Sequence, residues 1–500
     1  MNDTTPIAQQ PSFLKRCFRW LFSWRTLRRA LIAVAVLVTL AALLVAEENW
    51  RGKRDWEKYK AEGEAKGEKF DLASFTPKPV PPEQNFYATP FLAPLLDYEI
   101  VSGEVRWHDT NGVERAKSLG VVSGATADLK NCDYLKGAQK YFRSNTNFLA
   151  RPNPQDPASD VLFALQKYEP IYAELYAASE RPAAVYTIHP ERDMNAQMVM
   201  FGVMKAMARA AVVRSLANLE AGNSPEALTD VRFLFRLGDA LRNEPLLISH
   251  MVRIAILNIA LQPVRQGLAQ HRWSDEQLKQ LENILCSDDL LADYGRMMRG
   301  ERAFGNELFG QYLEGNFGSL GAQNKGFKFM GIFSPRGLLY QNQIVVNRMH
   351  DQISLRAVDA EAHRVYPERC STNALMHALG NRTPYNILSR MLFPAFQKTI
   401  LRSGYMQSTY DQAAIACALE RHRLTHGQFP ETLAALVPQF LEKIPGDVIG
   451  GQPLKYHRTD DGKFLLYSIG WNEKDDGGVV ALNENKKDDL ENGDWVWPAK

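Results

Sequence analysis

Two histidines, His422 and His426, stand four residues apart near the end of an apolar-periodic stretch. On a helix that spacing puts both imidazoles on one face, where they could share a metal ion. Arg421 and Arg423 flank the first of them, and no carboxylate is spaced to complete a site. The favoured reading is therefore a helix end, with histidines near the negative pole of its dipole. Glu301, His350 and Asp351 are residue types that could form an acid–base or nucleophile-activating group. Glu301 is followed by Arg302 and preceded by Arg296 and Arg299, so an ion pair is the simpler role for that stretch. Five cysteines, at 17, 132, 286, 370 and 417, are too irregularly spaced for a disulfide framework or a zinc knuckle. Cys286 and Cys417 sit among apolar helical positions, as buried thiols do. The chain contains no HExxH, G-x-S-x-G, Walker A or G-x-G-x-x-G sequence.

The elements that would have to position these residues are mostly helical. The chain has 500 residues, enough for about three domains. Lys plus Arg is 59 and Asp plus Glu is 57, a net charge of +2 that gives no electrostatic footprint for nucleic acid. Hydrophobic residues make up 45%, which excludes wholesale disorder.

Residues 30–46 (ALIAVAVLVTLAALLVA) carry no charge. They read as a transmembrane helix, brought to full span by Leu27 with Arg28 and Arg29 snorkelling. Lys15, Arg16, Arg19, Arg25, Arg28 and Arg29 precede the span, and Glu47 and Glu48 follow it. The positive-inside rule then puts the N-terminus in the cytoplasm and the bulk outside, in the periplasm of a bacterial inner membrane. A cleaved signal peptide is disfavoured, because Leu44 would occupy a cleavage position that needs a small residue. Residues 1–29 form a basic segment in which Phe13, Leu14, Cys17, Phe18, Leu21 and Trp24 recur at helical spacing, as in a helix lying on the inner leaflet.

Beyond the span, residues 47–84 read as a charged, solvated stalk followed by a proline-rich linker. Residues 85–404 read as an extracytoplasmic body of irregular, solenoid-like helical hairpins. It includes a small β-hairpin near 99–124, turning at Thr110-Asn111-Gly112. Pro170 is expected to kink a helix, Ser224 to cap one, and Ser274 with Gln277 to make a capping box. Six glycines over 310–332 read as a loop. Residues 405–500 change character. After a short helix over 430–436 they show a hairpin, with Leu454 and Tyr456 on one strand, a turn at Asp460-Asp461-Gly462, and a return strand from Phe464 to Ile469.

This tail resembles the C-terminal region of type II secretion major pseudopilins. The ordered features are His426-Gly427-Gln428-Phe429-Pro430, Leu433 and Leu436, then Pro445, Asp447, Gly450 and Tyr456. Tyr467, Ser468 and Gly470 follow, then Asp475-Asp476-Gly477-Gly478, and last Asp494-Trp495. The helical middle resembles membrane-anchored envelope proteins with such tails in Planctomycetes and Verrucomicrobia. The anchor departs from the pilin pattern, having no Glu at its fifth position. The resemblance implies a small α+β domain whose acidic loop binds calcium. Asp475, Asp476 and Asp494 would be its carboxylates, with Asn472 and Asn492 as neutral oxygen donors. Asn472 and Glu473 replace the family's Asp-Gly, and Lys474, Lys486 and Lys487 reduce the local negative potential.

The expected function is a membrane-anchored scaffold or interaction protein of the bacterial envelope, with secretion or pilus-type proteins as partners and no nucleic acid. The alternative is an extracytoplasmic hydrolase whose site is built from Glu301, His350 and Asp351.

Overall fold

A computed structural model describes residues 24–101, 104–126, 134–185, 190–315 and 335–498. The basic segment before Trp24, Cys17, Cys132 and most of the glycine-rich stretch 310–332 lie outside the described residues. Helix α1 runs unbroken over Trp24–Glu64. The stalk expected after residue 46 is therefore the second half of this helix, and it is not free in solvent. Gly52 is buried against a later helix, and Asp55 accepts from Gln341 of the same helix.

The proline-rich segment follows as single 3-10 turns from Leu72–Ser74 to Ala93–Leu95. It wraps the body, burying Phe86, Tyr87, Phe91, Leu92 and Leu95. Strands β1 (Tyr98–Val101) and β2 (Glu104–Trp107) pair antiparallel, Tyr98 opposite Trp107. The expected turn at Thr110-Asn111-Gly112 instead opens helix α2 (Thr110–Lys117). The Asp109 carboxylate accepts the Gly112 N–H at 2.8 Å, a side-chain cap that favours helix over turn.

Helices α3 (Tyr134–Ser144), α4 (Pro157–Leu165) and α5 (Glu169–Ser179) come next. Pro170 begins α5 rather than kinking a longer helix, because in the first turn its missing N–H costs no bond. Helices α6 (Pro190–Glu220) and α7 (Ser224–Asp239) form the expected hairpin, with Gly222 at φ 81° in the link. Asn223, not Ser224, holds the cap position of α7. The Ser224 hydroxyl accepts from Gln277 Nε2 at 3.1 Å instead. Helix α8 (Leu247–Ala269) leads to α9 (Asp275–Ser287), which starts on the capping box of Ser274 and Gln277. Helix α10 (Leu290–Glu314) ends on Gly315.

Helix α11 (Arg336–Met349) passes into one π-helical turn, His350–Ser354. Strands β3 (Val358–Asp359) and β4 (Arg364–Val365) and helix α12 (Thr372–Leu379) lead to α13 (Ile387–His426), a helix of 40 residues. After a 3-10 turn at Leu433–Leu436 the tail is strand-rich. Strands β5 (Lys455–Arg458), β6 (Phe464–Ser468) and β9 (Trp495–Trp497) make an antiparallel sheet in the order β5-β6-β9. Strands β7 (Val480–Leu482) and β8 (Asp488–Gly493) pair beside it.

The architecture is mostly helical with a few small antiparallel sheets. Helix α13 packs on α8, α9, α10 and α11 and is buried almost throughout Thr399–Arg421. In a solenoid each unit touches only its neighbours, so this body is a bundle around α13 rather than a stack. The division expected between residues 404 and 405 falls inside α13. Phe440, Leu466 and Trp497 of the tail share one buried cluster with Met204, Leu257 and Leu281 of the body. Gln412 of α13 donates to the Trp495 carbonyl at 3.1 Å, which fastens the tail sheet to the helix.

Candidate functional site

The three residues of a possible hydrolase stand in separate roles. Glu301 Oε2 accepts the Leu247 N–H at 2.8 Å and so caps the first turn of α8. Burial pushes its carboxyl up. Asp351 accepts from Arg302 at 2.7 Å and from the Tyr59 hydroxyl. His350 is buried with its ring 4.7 Å from that of Phe396, and burial pushes it down to about 3, so it is neutral. No hydrogen bond or ion pair joins any two of the three. Arg302 is the organising residue: it also reaches Glu68 and the Lys69 carbonyl and lies 4.9 Å over the Phe70 ring. It clasps the end of α1 and the segment after it to α10 and the π turn.

A larger charged cluster lies at the junction of α7, α8 and α10. Buried Arg253 donates to Asp293 at 2.8 Å and to Asp288, and Arg242 also pairs with Asp288. Beside it a cleft of about 280 Å³ is lined by Tyr176, Phe233, Arg236, Asp239, Ser287 and others. Below the cleft, Asp230 is fully buried. It accepts from Arg214 at 2.6 Å, from Asn218 at 3.1 Å and from the Tyr176 hydroxyl. Burial raises Asp230 to about 6, with Arg214 and its hydrogen bonds opposing. These carboxylates are matched by cations, so the cluster braces α5, α6 and α7 rather than offering a nucleophile. Sequence reasoning missed it, because its members come from separate segments and form no local pattern.

His363 sits between two acids. Its Nε2 is 3.1 Å from Asp411 and its Nδ1 3.8 Å from Asp289. The two carboxylates, Asp289 foremost, push it up to about 10, so it bridges the start of α10 and α13 as an imidazolium. His422 and His426 stack at 4.2 Å, each Nδ1 against a backbone carbonyl. Cys286, Cys370 and Cys417 are free; Cys417 is buried as expected and Cys370 is buried too, with thiols pushed up by burial, whereas Cys286 is exposed because it falls on the outer side of α9.

The acidic loop of the tail satisfies itself. Asp494 accepts the N–H groups of Gly478 at 2.6 Å and Asp476 at 3.3 Å. Asp475 accepts the Gly477 N–H at 3.1 Å and the Tyr467 hydroxyl at 3.0 Å, and Lys455 stands 3.1 Å away. Asn472 donates to Asp476 at 2.9 Å, whereas Asn492 turns to Asp489. Among the described residues no group of three or more His, Cys, Asp or Glu could hold an ion.

Three helices are long and apolar enough to cross a membrane, which suggests membrane association. The apolar stretch of α1 is wholly exposed, whereas those of α6 and α8 are 72% and 61% buried. Directly beyond its apolar stretch, α1 docks on α11. A methyl group on Gly52 would stand 2.7 Å from the Gly337 carbonyl oxygen, and one on Gly337 would stand 2.2 Å from that of Glu48. The two backbones touch where only glycine fits. Asn49 accepts the Gly337 N–H at 2.7 Å, and Gln341 donates to Asp55 at 3.1 Å.

No family model, curated protein or solved structure matches the chain.

Proposed function

We propose that the protein is a single-pass, membrane-anchored scaffold of the bacterial envelope, working with secretion or pilus-type proteins. Its N-terminus is cytoplasmic and its body periplasmic. One observation carries this reading: α1 does not stop at the end of its exposed apolar stretch but continues as helix into the glycine junction with α11. Leu27 to Ala46 rises about 30 Å, the thickness of a bilayer's hydrocarbon core. An anchor continuous with the body transmits the membrane's position and orientation to it, which is what a scaffold needs and a freely diffusing enzyme does not. Helices α6 and α8 fit poorly as spans, because Arg214 and Arg253 on them serve buried ion pairs in the body. The tail supports a link to pilus-type machinery through the sequence features that resemble pseudopilins, carried on a small antiparallel sheet that packs on a long helix.

The test is protease added to spheroplasts of cells that make the protein. Digestion should remove everything beyond about residue 50 and leave a small basic fragment, and a protected tail overturns the topology. Gly52→Leu should keep the protein in the membrane fraction while abolishing its in-cell crosslinks to envelope proteins. Unchanged crosslinks would separate scaffolding from the rigid junction.

A further inference from the structure

The junction of α1 and α11 brings a second surface to the level of the membrane. Between the start of α11 and the segment leading into α13 lies a cleft of about 400 Å³. Its floor is Leu338, Leu339, Ile387 and Leu388, and Arg382 and Thr383 stand at its polar side. Asn342 holds the two sides together, donating to the Pro384 carbonyl at 2.8 Å and accepting the Leu388 N–H at 3.2 Å.

The height of this cleft follows from its contacts with α1. Arg51 Nη2 is 3.5 Å from the Tyr385 hydroxyl, and Gly337 abuts Glu48 and Gly52. Arg51 lies five residues past Ala46, a rise of about 7.5 Å. A headgroup layer is roughly 5–7.5 Å deep on each side of the hydrocarbon core, so Arg51 stands at its outer edge and Glu48, about 3 Å past Ala46, within it. Tyr385 is 37% exposed and Trp50, on α1 at the same level, 62% exposed. Two aromatics from segments far apart in sequence thus share the depth at which tyrosine and tryptophan gather in membrane proteins. Arg382 lines the cleft and is exposed, Arg336 is exposed two residues before Leu338 at the start of α11, and neither has an acidic partner among the described residues. An apolar floor beneath unpaired guanidinium groups, set at headgroup depth, matches acyl chains beneath a phosphodiester.

We infer that this cleft seats a phospholipid from the bilayer that holds α1, with Arg336 and Arg382 on its phosphate and Leu338, Leu339, Ile387 and Leu388 against its upper acyl chains. The inference rests on the anchor reading above. Such a seat gives the body a second hold on the membrane and fixes its rotation about α1, which one helix alone leaves free.

The test uses the full chain in nanodiscs of phosphatidylethanolamine and phosphatidylglycerol, doped with a phospholipid carrying a diazirine on its upper acyl chain. Crosslinked peptides are mapped after irradiation. Labels are expected in the apolar stretch of α1 and in residues 382–388. Arg336→Glu with Arg382→Glu should lower the second label roughly tenfold and leave the first unchanged. Both arginines are exposed, and an unchanged helical circular dichroism spectrum shows that the variant folds. A label in α1 with none in 382–388 overturns the seat and leaves the anchor standing. A second label that is indifferent to the two substitutions overturns the phosphate contact and with it the seat. No label in either region overturns the anchor, and the seat falls with it.

Discussion

Helices α1 and α8 pass the same test of length and composition, yet the fold uses them in opposite ways. Mean hydropathy over the best window is 2.6 in α1 and 1.5 in α8, and 0% of the first window but 61% of the second is buried. Leu31, Leu37 and Leu44 of α1 face outward, while Leu257 and Leu261 of α8 are shut inside the main cluster. The polar residues explain the difference. Within α8, His250 reaches Ser403 at 2.9 Å and Arg253 reaches two aspartates, so these two polar side chains find partners inside the protein. The apolar stretch of α1 carries only Thr39, which bonds back to the Ala35 carbonyl and asks nothing of a neighbour. A helix bound for a bundle keeps polar groups that the bundle must satisfy, and a helix bound for lipid cannot.

One pair of substitutions would break this comparison most sharply. Leu257→Arg puts an unpaired charge into the core and should cost more than about 4 kcal/mol, enough to abolish a cooperative melt in detergent. It should leave the chain in the membrane fraction. Leu37→Arg should do the reverse: the melt of the body stays, while insertion loses about 3 kcal/mol and the membrane fraction falls. A melt that survives Leu257→Arg would remove α8 from the core. Full membrane retention in a Leu37→Arg variant would remove α1 from the bilayer.

The elements written within a few residues were legible in the sequence. The capping box of Ser274 and Gln277, the α6–α7 link at Gly222, and the β5–β6 hairpin turning at Gly462 each need only local chemistry. What the sequence hides is pairing at a distance. Residues 47–64 look solvated because charged residues dominate them, and nothing nearby announces that Gly52 meets Gly337. The acids that hold Arg302 come from Glu68 and Asp351, on two different segments. Composition likewise marks a change near residue 405, but α13 runs through it because Tyr405 and Gln412 pack against Trp495 of the tail sheet. Of the candidate site, residue types were visible and convergence was not. Glu301 caps α8 and Asp351 pairs with Arg302, while His350 lies buried against Phe396 with its Nδ1 unpartnered.

Alkaline pH should sharpen the contrast between anchor and bundle. His363 is raised from 6.5 to about 10 by Asp289 and Asp411. A raised pKa means that protonation favours the folded state, so this stabilisation is complete below pH 6.5 and is lost as pH rises through 10. The melting temperature should therefore fall across that window, and His363→Gln should flatten the fall while lowering the melting temperature at pH 6.5. Membrane retention should stay level throughout, since the apolar stretch of α1 has no group that titrates. Parallel pH profiles in wild type and variant would take His363 out of the bundle's alkaline behaviour.

The smallest effect belongs to the acidic loop of the tail, which separates a loop held by a cation from one held by its own hydrogen bonds. Asp494 is buried and takes the N–H groups of Asp476 and Gly478, while Lys455 supplies the positive charge beside Asp475. Asp494→Ala strands those two amides and should cost about 1–2 kcal/mol of stability, read as a modest drop in melting temperature. Calcium at ten times its Kd would add about 1.4 kcal/mol to the folded state. With the oxygens already engaged by donors and Asn492 turned to Asp489, millimolar calcium should leave the wild-type melt where it is. A rise in melting temperature with calcium that Asp475→Ala with Asp476→Ala abolishes would show that the loop rearranges to bind the ion.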